Sequence, residues 1–264
     1  MADSPEGRID TERDGDVVVV TIINEARANS LDDPMLKALA EALDPVALGD
    51  ARAVVLTGAG DRNFSGGVDL QARDGAALTD AVRDGERLLG RAAAAVEGCP
   101  VPVVCALNGN AFGGALEIAM AADWRIASRG ARFGMPPARL GWVYAAEGIR
   151  RFVDSCGAAN TRELFLTGHA VDADRARQMG LVTRVVDRLE LANLAFADAL
   201  EIAKNGPIAV AGMRAVIKAI ETDTPSSEAA EIAERWRQRA FRSEDIEEGL
   251  TAFREKRDPD FSGR

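Results

Sequence analysis

The chain has one histidine and three cysteines in 264 residues, and no apolar run long enough to span a bilayer. Each scarcity closes off a class of chemistry. A histidine-rich metal centre or a nucleophile–histidine pair would have to run through His169 alone, in LTGHAVDADRA, which reads as a loop leading into a helix. Cys99, Cys105 and Cys156 are odd in number and lack metal-ligand spacing, so reduced, buried thiols are expected instead of a disulfide framework. Net basic charge is missing too. A formal net charge of -10 argues against nucleic acid or an anionic membrane as the main partner, and any phosphate-bearing ligand would need a local basic patch. The opening MADSPEGRIDTERDGD is polar and acidic, unlike a secretory leader, so a cytoplasmic protein is expected, with residues 1–15 as a flexible arm. Repeats and low-complexity linkers are absent.

What is present fits a globular chain: 47% hydrophobic and 28% charged residues suffice for one sizeable α/β domain with a small appendage. Apolar runs at 17–23, 53–57 and 103–107 read as buried strands, with a shorter one at 124–127. Helical patterns are expected at 34–43, with Asp33 before Pro34 as the start signal, at 79–97, and near Gly148 and Thr161. Alternating strands and helices predict an α/β core over 1–188. From 189 strands give way to helical stretches at 189–205, 207–221 and 226–255, with a break near Ser243, a layout that suits an oligomerisation region.

Two of the strands empty into glycine-rich turns, GAGDRNFSGGVDL and NGNAFGGALE. Glycines after a strand let backbone N–H groups approach a ligand, and a helix starting there adds its positive dipole end. Two such loops converging would aim two N–H groups at one carbonyl oxygen and stabilise an enolate or tetrahedral oxyanion. Neither loop is a nucleotide fingerprint: the first lacks the Gly-Lys-Ser/Thr ending of a P-loop and the second lacks G-x-G-x-x-G directly after its strand. Glu117 lies three residues beyond Gly114 and on a helix projects from nearly the same face, a sensible place for a base, although a glutamate in a first helical turn also suits the dipole.

NFSGGVDL, NGNAFGGALEIAMAADWRIAS, LTGHAVDADRARQMGLVTRVV and SEDIEEGLTAFREKRDPDF occur here in the order in which similar segments occur in the crotonase (enoyl-CoA hydratase/isomerase) superfamily, which the chain resembles from about 17 to 261. The resemblance implies a ββα spiral core with a helical trimerisation region, assembly as a homotrimer or a hexamer, and an acyl-CoA substrate with no metal or redox cofactor. It implies that the backbone amides of Val68 and Gly114 form the oxyanion hole and that Glu117 transfers the proton. It also marks substrate- or CoA-binding positions: Arg27 and Ala28 in the early loop, Ser65, Gly66, Gly67, Asp69 and Leu70 around the first glycines, Gly113 beside the second, Pro136 and Arg139 in FGMPPARLG, and Phe253 and Lys256 near the C-terminus. The second glutamate of a typical hydratase falls on Pro137, which cannot transfer a proton, so two-glutamate hydration is not expected. Tyr144 and Glu147, in GWVYAAEGIRRF, are the candidates to replace it. The Pro-x-x-Leu-Gly-x-x-Tyr spacing is similar to that of methylmalonyl-CoA decarboxylase, where a tyrosine helps seat a carboxylate; Arg139 would then meet that carboxylate or pair with Glu147. Acyl-pocket walls are expected from residues 71–91, with Phe112, Met135 and Trp142. Asp123 is assigned to packing. Three readings therefore stay open: a hydratase/isomerase, a malonyl-type decarboxylase, and a non-catalytic acyl-CoA binder.

Overall fold

A computed structural model describes residues 7–69, 78–222 and 224–264, for 78–82 the backbone only. The chain enters as an antiparallel hairpin of β1 (Arg8–Asp14) and β2 (Val17–Ile23), then makes a short turn, α1 (Asp33–Ala42) and α2 (Pro45–Leu48). Three repeating passes follow, each laying one strand in a large sheet and the next in a small one before a helix. They are β3 (Ala53–Gly58), β4 (Asn63–Ser65) and α3 (Leu78–Glu97); β5 (Val103–Leu107), β6 (Asn110–Phe112) and α4 (Gly114–Met120); β7 (Trp124–Ser128), β8 (Arg132–Gly134) and α5 (Ala146–Thr167). The spiral ends with β9 (Val171–Asp172), α6 (Ala173–Met179) and β10 (Arg184–Val186). The large sheet runs β1-β2-β3-β5-β7-β10 and the small one β4-β6-β8-β9. This is the expected ββα spiral.

Residue alternation along the large sheet explains its two covered faces. Val18, Val20, Val54, Leu56, Val103 and Cys105 face the main core, where α1, α3 and α4 pack, while Val17, Val55, Val104 and Ala106 face the other way. That second face is closed by α7 (Arg188–Ala203), whose Leu191, Ala195, Ala199 and Ala203 recur every four residues, the three alanines being small enough to lie close on the strands. Because both faces are covered, the strands are apolar throughout, which is why they were visible in the sequence.

Four expectations change. Residues 8–14 are not a loose arm: they form β1, paired along its whole length with β2 at the sheet edge and mostly solvent-facing, so its polar composition suits an edge strand. The helix after it is capped by Asp32, whose side chain accepts from Met35 N at 2.9 Å, and Asp33 is already helical. The stretch near 189 belongs with the core through α7; α8 (Pro207–Glu221), α9 (Ser226–Phe241) and α10 (Glu244–Glu255) follow it, with the break at Ser243 where expected. The helices near Gly148 and Thr161 are one element, α5, interrupted at Gly157, whose φ of 73° leaves the helical region.

The three cysteines are buried free thiols, and burial pushes Cys99 up to about 11 and Cys105 up to about 12, so both stay protonated. His169 is exposed in the loop before β9. Among the described residues no helix is long and apolar enough to cross a membrane.

Candidate active site

The two glycine-rich turns meet. At Gly67, φ is +96° and an added Cβ would lie 2.6 Å from the Phe112 carbonyl oxygen and 3.5 Å from Gly114 N, so only glycine lets the first turn lie against the start of α4. Ser65 fixes that turn from inside, its hydroxyl accepting from Gly67 N at 3.1 Å. From the other side the early loop holds it: Gly66 N donates to the Ala28 carbonyl at 2.8 Å, Leu31 N to that of Gly67, and Asp69 N to that of Leu31. The last two bonds straddle Val68, which turns its own amide away from Leu31. Gly114 opens α4 after Gly113, whose φ of 54° directs the chain into the helix, and a first-turn amide has no acceptor within its helix. Neither amide has a hydrogen-bond acceptor among the described residues.

Glu117 sits one turn along α4, only 3% exposed. Both carboxylate oxygens are engaged: Tyr144 donates its hydroxyl to Oε2 at 2.5 Å, and Arg151 Nη1 donates to Oε1 at 3.0 Å. Burial raises the proton affinity of Glu117 above the ordinary carboxylate range; the Tyr144 hydroxyl and Arg151 oppose that, and the negative charges of Glu86 and Glu147 add to it. Burial and the adjacent carboxylate likewise hold the Tyr144 phenol protonated. The tyrosine is seated by an edge contact with Phe165, ring centroids 5.6 Å apart, and by Gly148, where a Cβ would come within 2.6 Å of the ring and 3.1 Å of the Glu117 carboxyl carbon. Trp142 lies beside Tyr144 at 6.4 Å and donates its indole N–H to Glu86 at 2.8 Å.

The other named residues divide. Arg27 reaches Asp69 with a 2.7 Å ion pair at the edge of the first turn. Pro137 is buried in a short helical turn after Pro136, near the fully buried Met135, and Phe112 lies over Gly134. Asp123 serves packing as expected, accepting from Val103 N at 2.7 Å and pairing with Arg214 at 2.5 Å. Glu147 is exposed. Arg139 does not pair with it: the side chain lies on Gly168, whose missing Cβ leaves room, and donates to the Thr167 carbonyl at 3.3 Å. Phe253 on α10 and Lys256 just after it project into solvent, with no hydrogen bond to the Glu117 centre. Leu70 and residues 71–77 of the expected pocket wall lie outside the described residues.

Sequence reading missed Arg151, Glu97 and Asn29. Asn29, 1% exposed, donates to the carbonyls of Ala59 and Asn63 at 2.9 Å and accepts from Asn24 N, stapling the early loop to the first glycine turn. Nothing in the local pattern marks an asparagine that bonds across 30 residues or more.

The enoyl-CoA hydratase/isomerase family model matches residues 12–264. A short-chain-enoyl-CoA hydratase of Clostridium acetobutylicum is 34% identical over 93% of this chain and 94% of its own. A carnitinyl-CoA dehydratase of Salmonella enteritidis is 31% identical over 96% and 97%. The crystal structure of an enoyl-CoA hydratase from Bacillus anthracis superposes with a TM-score of 0.91 at 32% identity, covering 97% of this chain and 100% of that one. With a ββα spiral, two facing glycine turns and a buried glutamate behind the second, the chain belongs to the enoyl-CoA hydratase/isomerase family.

Proposed function

We propose that the protein transforms an acyl-CoA thioester through an enolate, with Glu117 as its single carboxylate base. The supporting observation is the placement of that buried carboxylate one turn behind the free amide of Gly114, beside the turned-out amide of Val68. The thioester oxygen is received by those two N–H groups, which lower the energy of the negative charge that develops there. Glu117 Oε2 removes a proton from the α-carbon of a 3-enoyl thioester, the electron pair moves onto the thioester oxygen, and the same carboxylate returns the proton at the far end of the dienolate to give the 2-enoyl product. No second acid is required for this double-bond migration, which suits a site with proline at 137. Reversible water addition to a 2-enoyl thioester uses the same parts: Glu117 takes a proton from the water as its oxygen bonds the β-carbon, the electron pair moves onto the thioester oxygen, and Glu117 returns that proton to the α-carbon, with Tyr144 orienting the carboxylate.

The malonyl-type decarboxylase reading loses support because Arg139 is engaged at Thr167, away from Glu117. An assembled trimer or hexamer is supported by the apolar stripe Met213, Ile217 and Ile220 on α8, which one chain leaves exposed and which recurs at helical spacing. Coenzyme A enters as part of the substrate, and no further cofactor is invoked; Arg27 at the first turn suits its polar end, and Phe253 and Lys256 would meet it across or beside α10.

The test incubates the protein in parallel with a 2-enoyl-CoA, a 3-enoyl-CoA and methylmalonyl-CoA, and follows products by NMR. Migration or hydration lost in Glu117→Gln supports the proposal. Carbon dioxide release that survives that substitution replaces it with the decarboxylase, and binding without turnover of all three replaces it with a carrier.

A further inference from the structure

Behind Glu117 runs a chain of charges that the chemistry above does not use. Arg151, 7% exposed, donates to Glu117 Oε1 with one terminal nitrogen and to Glu97 Oε2 with the other two donors, Nε at 3.1 Å and Nη2 at 2.7 Å. Glu97 ends α3, and its second oxygen is held by Arg150 at 3.2 Å and by Lys218 of α8. Arg214, also of α8, donates to the Glu97 backbone carbonyl at 3.1 Å. The guanidinium is planar with its donors fixed in a fork, so satisfying Glu97 on one edge dictates where its remaining nitrogen points.

We propose that Arg151 is the positioning residue of this site, set by Glu97 and Lys218 so that the Glu117 carboxyl group is held with Oε1 tied back and Oε2 presented to Tyr144 and the substrate. The inference rests on Glu117 being the base. It gives α8 a functional part: Lys218, half exposed and on the helix that carries the apolar stripe, orients a group on the catalytic carboxylate through two intervening side chains. The groups facing Glu117 are Tyr144, Arg151 and Glu147 from α5 with its preceding loop, and Glu86 from α3; the two glutamates oppose its ionisation and Arg151 offsets them.

The test compares the intact protein with Arg151→Lys and Lys218→Met. The readouts are kcat, KM and the pH profile of α-proton exchange on an acyl-CoA, together with infrared titration of the Glu117 carboxyl band, assigned by its loss in Glu117→Gln. Arg151→Lys keeps the charge and loses the fork; kcat is expected to fall on the order of tenfold with KM within about twofold. Lys218→Met releases Glu97 to draw Arg151 away, so kcat falls a few-fold and both the acid limb and the carboxyl titration move to higher pH. Parent-like kcat, acid limb and titration in both variants would overturn the inference while leaving the base assignment standing if Glu117→Gln is inactive. Should Arg151→Lys fail to fold, Lys218→Met decides alone. Exchange that persists in Glu117→Gln removes the base assignment instead, and the infrared titration of Lys218→Met then still reports whether the ion chain sets the state of Glu117.

Discussion

Glu117 and Glu97 share one arginine and are driven in opposite directions. Glu97 is partly buried, which alone would raise its proton affinity, but Lys218 and Arg151 more than offset that and hold it down at about 2. Glu117 is more deeply enclosed, receives one cation and one hydroxyl, and faces two further glutamates; there burial wins and its proton affinity rises. Two identical side chains thus become a permanent anion that anchors structure and a carboxylate able to give and take a proton. The difference is the number of cations within reach and the depth of burial.

The largest test of that contrast is reciprocal amidation. Glu117→Gln removes the proton acceptor, and kcat should fall about a thousandfold with KM little changed and the melting temperature held or raised, read by steady-state kinetics and thermal denaturation. Glu97→Gln should do the reverse to stability: it leaves Arg151 half-paired in the interior and costs about 3 kcal/mol in denaturant unfolding, a loss that Glu117→Gln does not share. A comparable stability loss in both would break the contrast.

Tyr144→Phe is next. It deletes the hydroxyl that helps keep Glu117 ionised, so kcat should fall about tenfold and the acid limb of the rate profile should move to higher pH. Gly148→Ala pushes a methyl against the Tyr144 ring and should lower kcat several-fold in the same sense without loss of the fold, checked by the same profile. The smallest effect is in pH-dependent stability. The depressed Glu97 contributes stability that is complete above its ordinary value of 4.5 and is lost as pH falls toward about 2. The raised Glu117 acts oppositely: its contribution is full below 4.5 and fades as pH rises through its higher folded value. Acid unfolding of Glu97→Gln should therefore be shallower than that of the parent, and Glu117→Gln should gain stability toward neutral pH.

The sequence made some of this legible because the signals were local. Strands covered on both faces show as continuous apolar runs, glycine turns follow them directly, and Glu117 is tied to Gly114 by the period of one helix. The strands of the small sheet, two or three residues each, carry too little periodicity to be read, and β1 was hidden by the polar composition of an exposed edge. The ion chain was invisible for a different reason. Arg151 meets Glu117 across 34 residues and Glu97 across 54, while Lys218 meets Glu97 across 121, and a charged residue in a helix ordinarily signals a solvated face. Arg139 shows the converse error: a cation beside the site in sequence, yet turned to Thr167 in space.

The central claim is that Glu117 moves the substrate proton while Val68 and Gly114 hold the enolate. It is tested most directly by incubating a saturated acyl-CoA with the protein in deuterated water and following deuterium at the α-carbon by mass spectrometry. The account predicts exchange by the parent that Glu117→Gln abolishes while acyl-CoA binding persists; exchange at the parent rate in Glu117→Gln would contradict it.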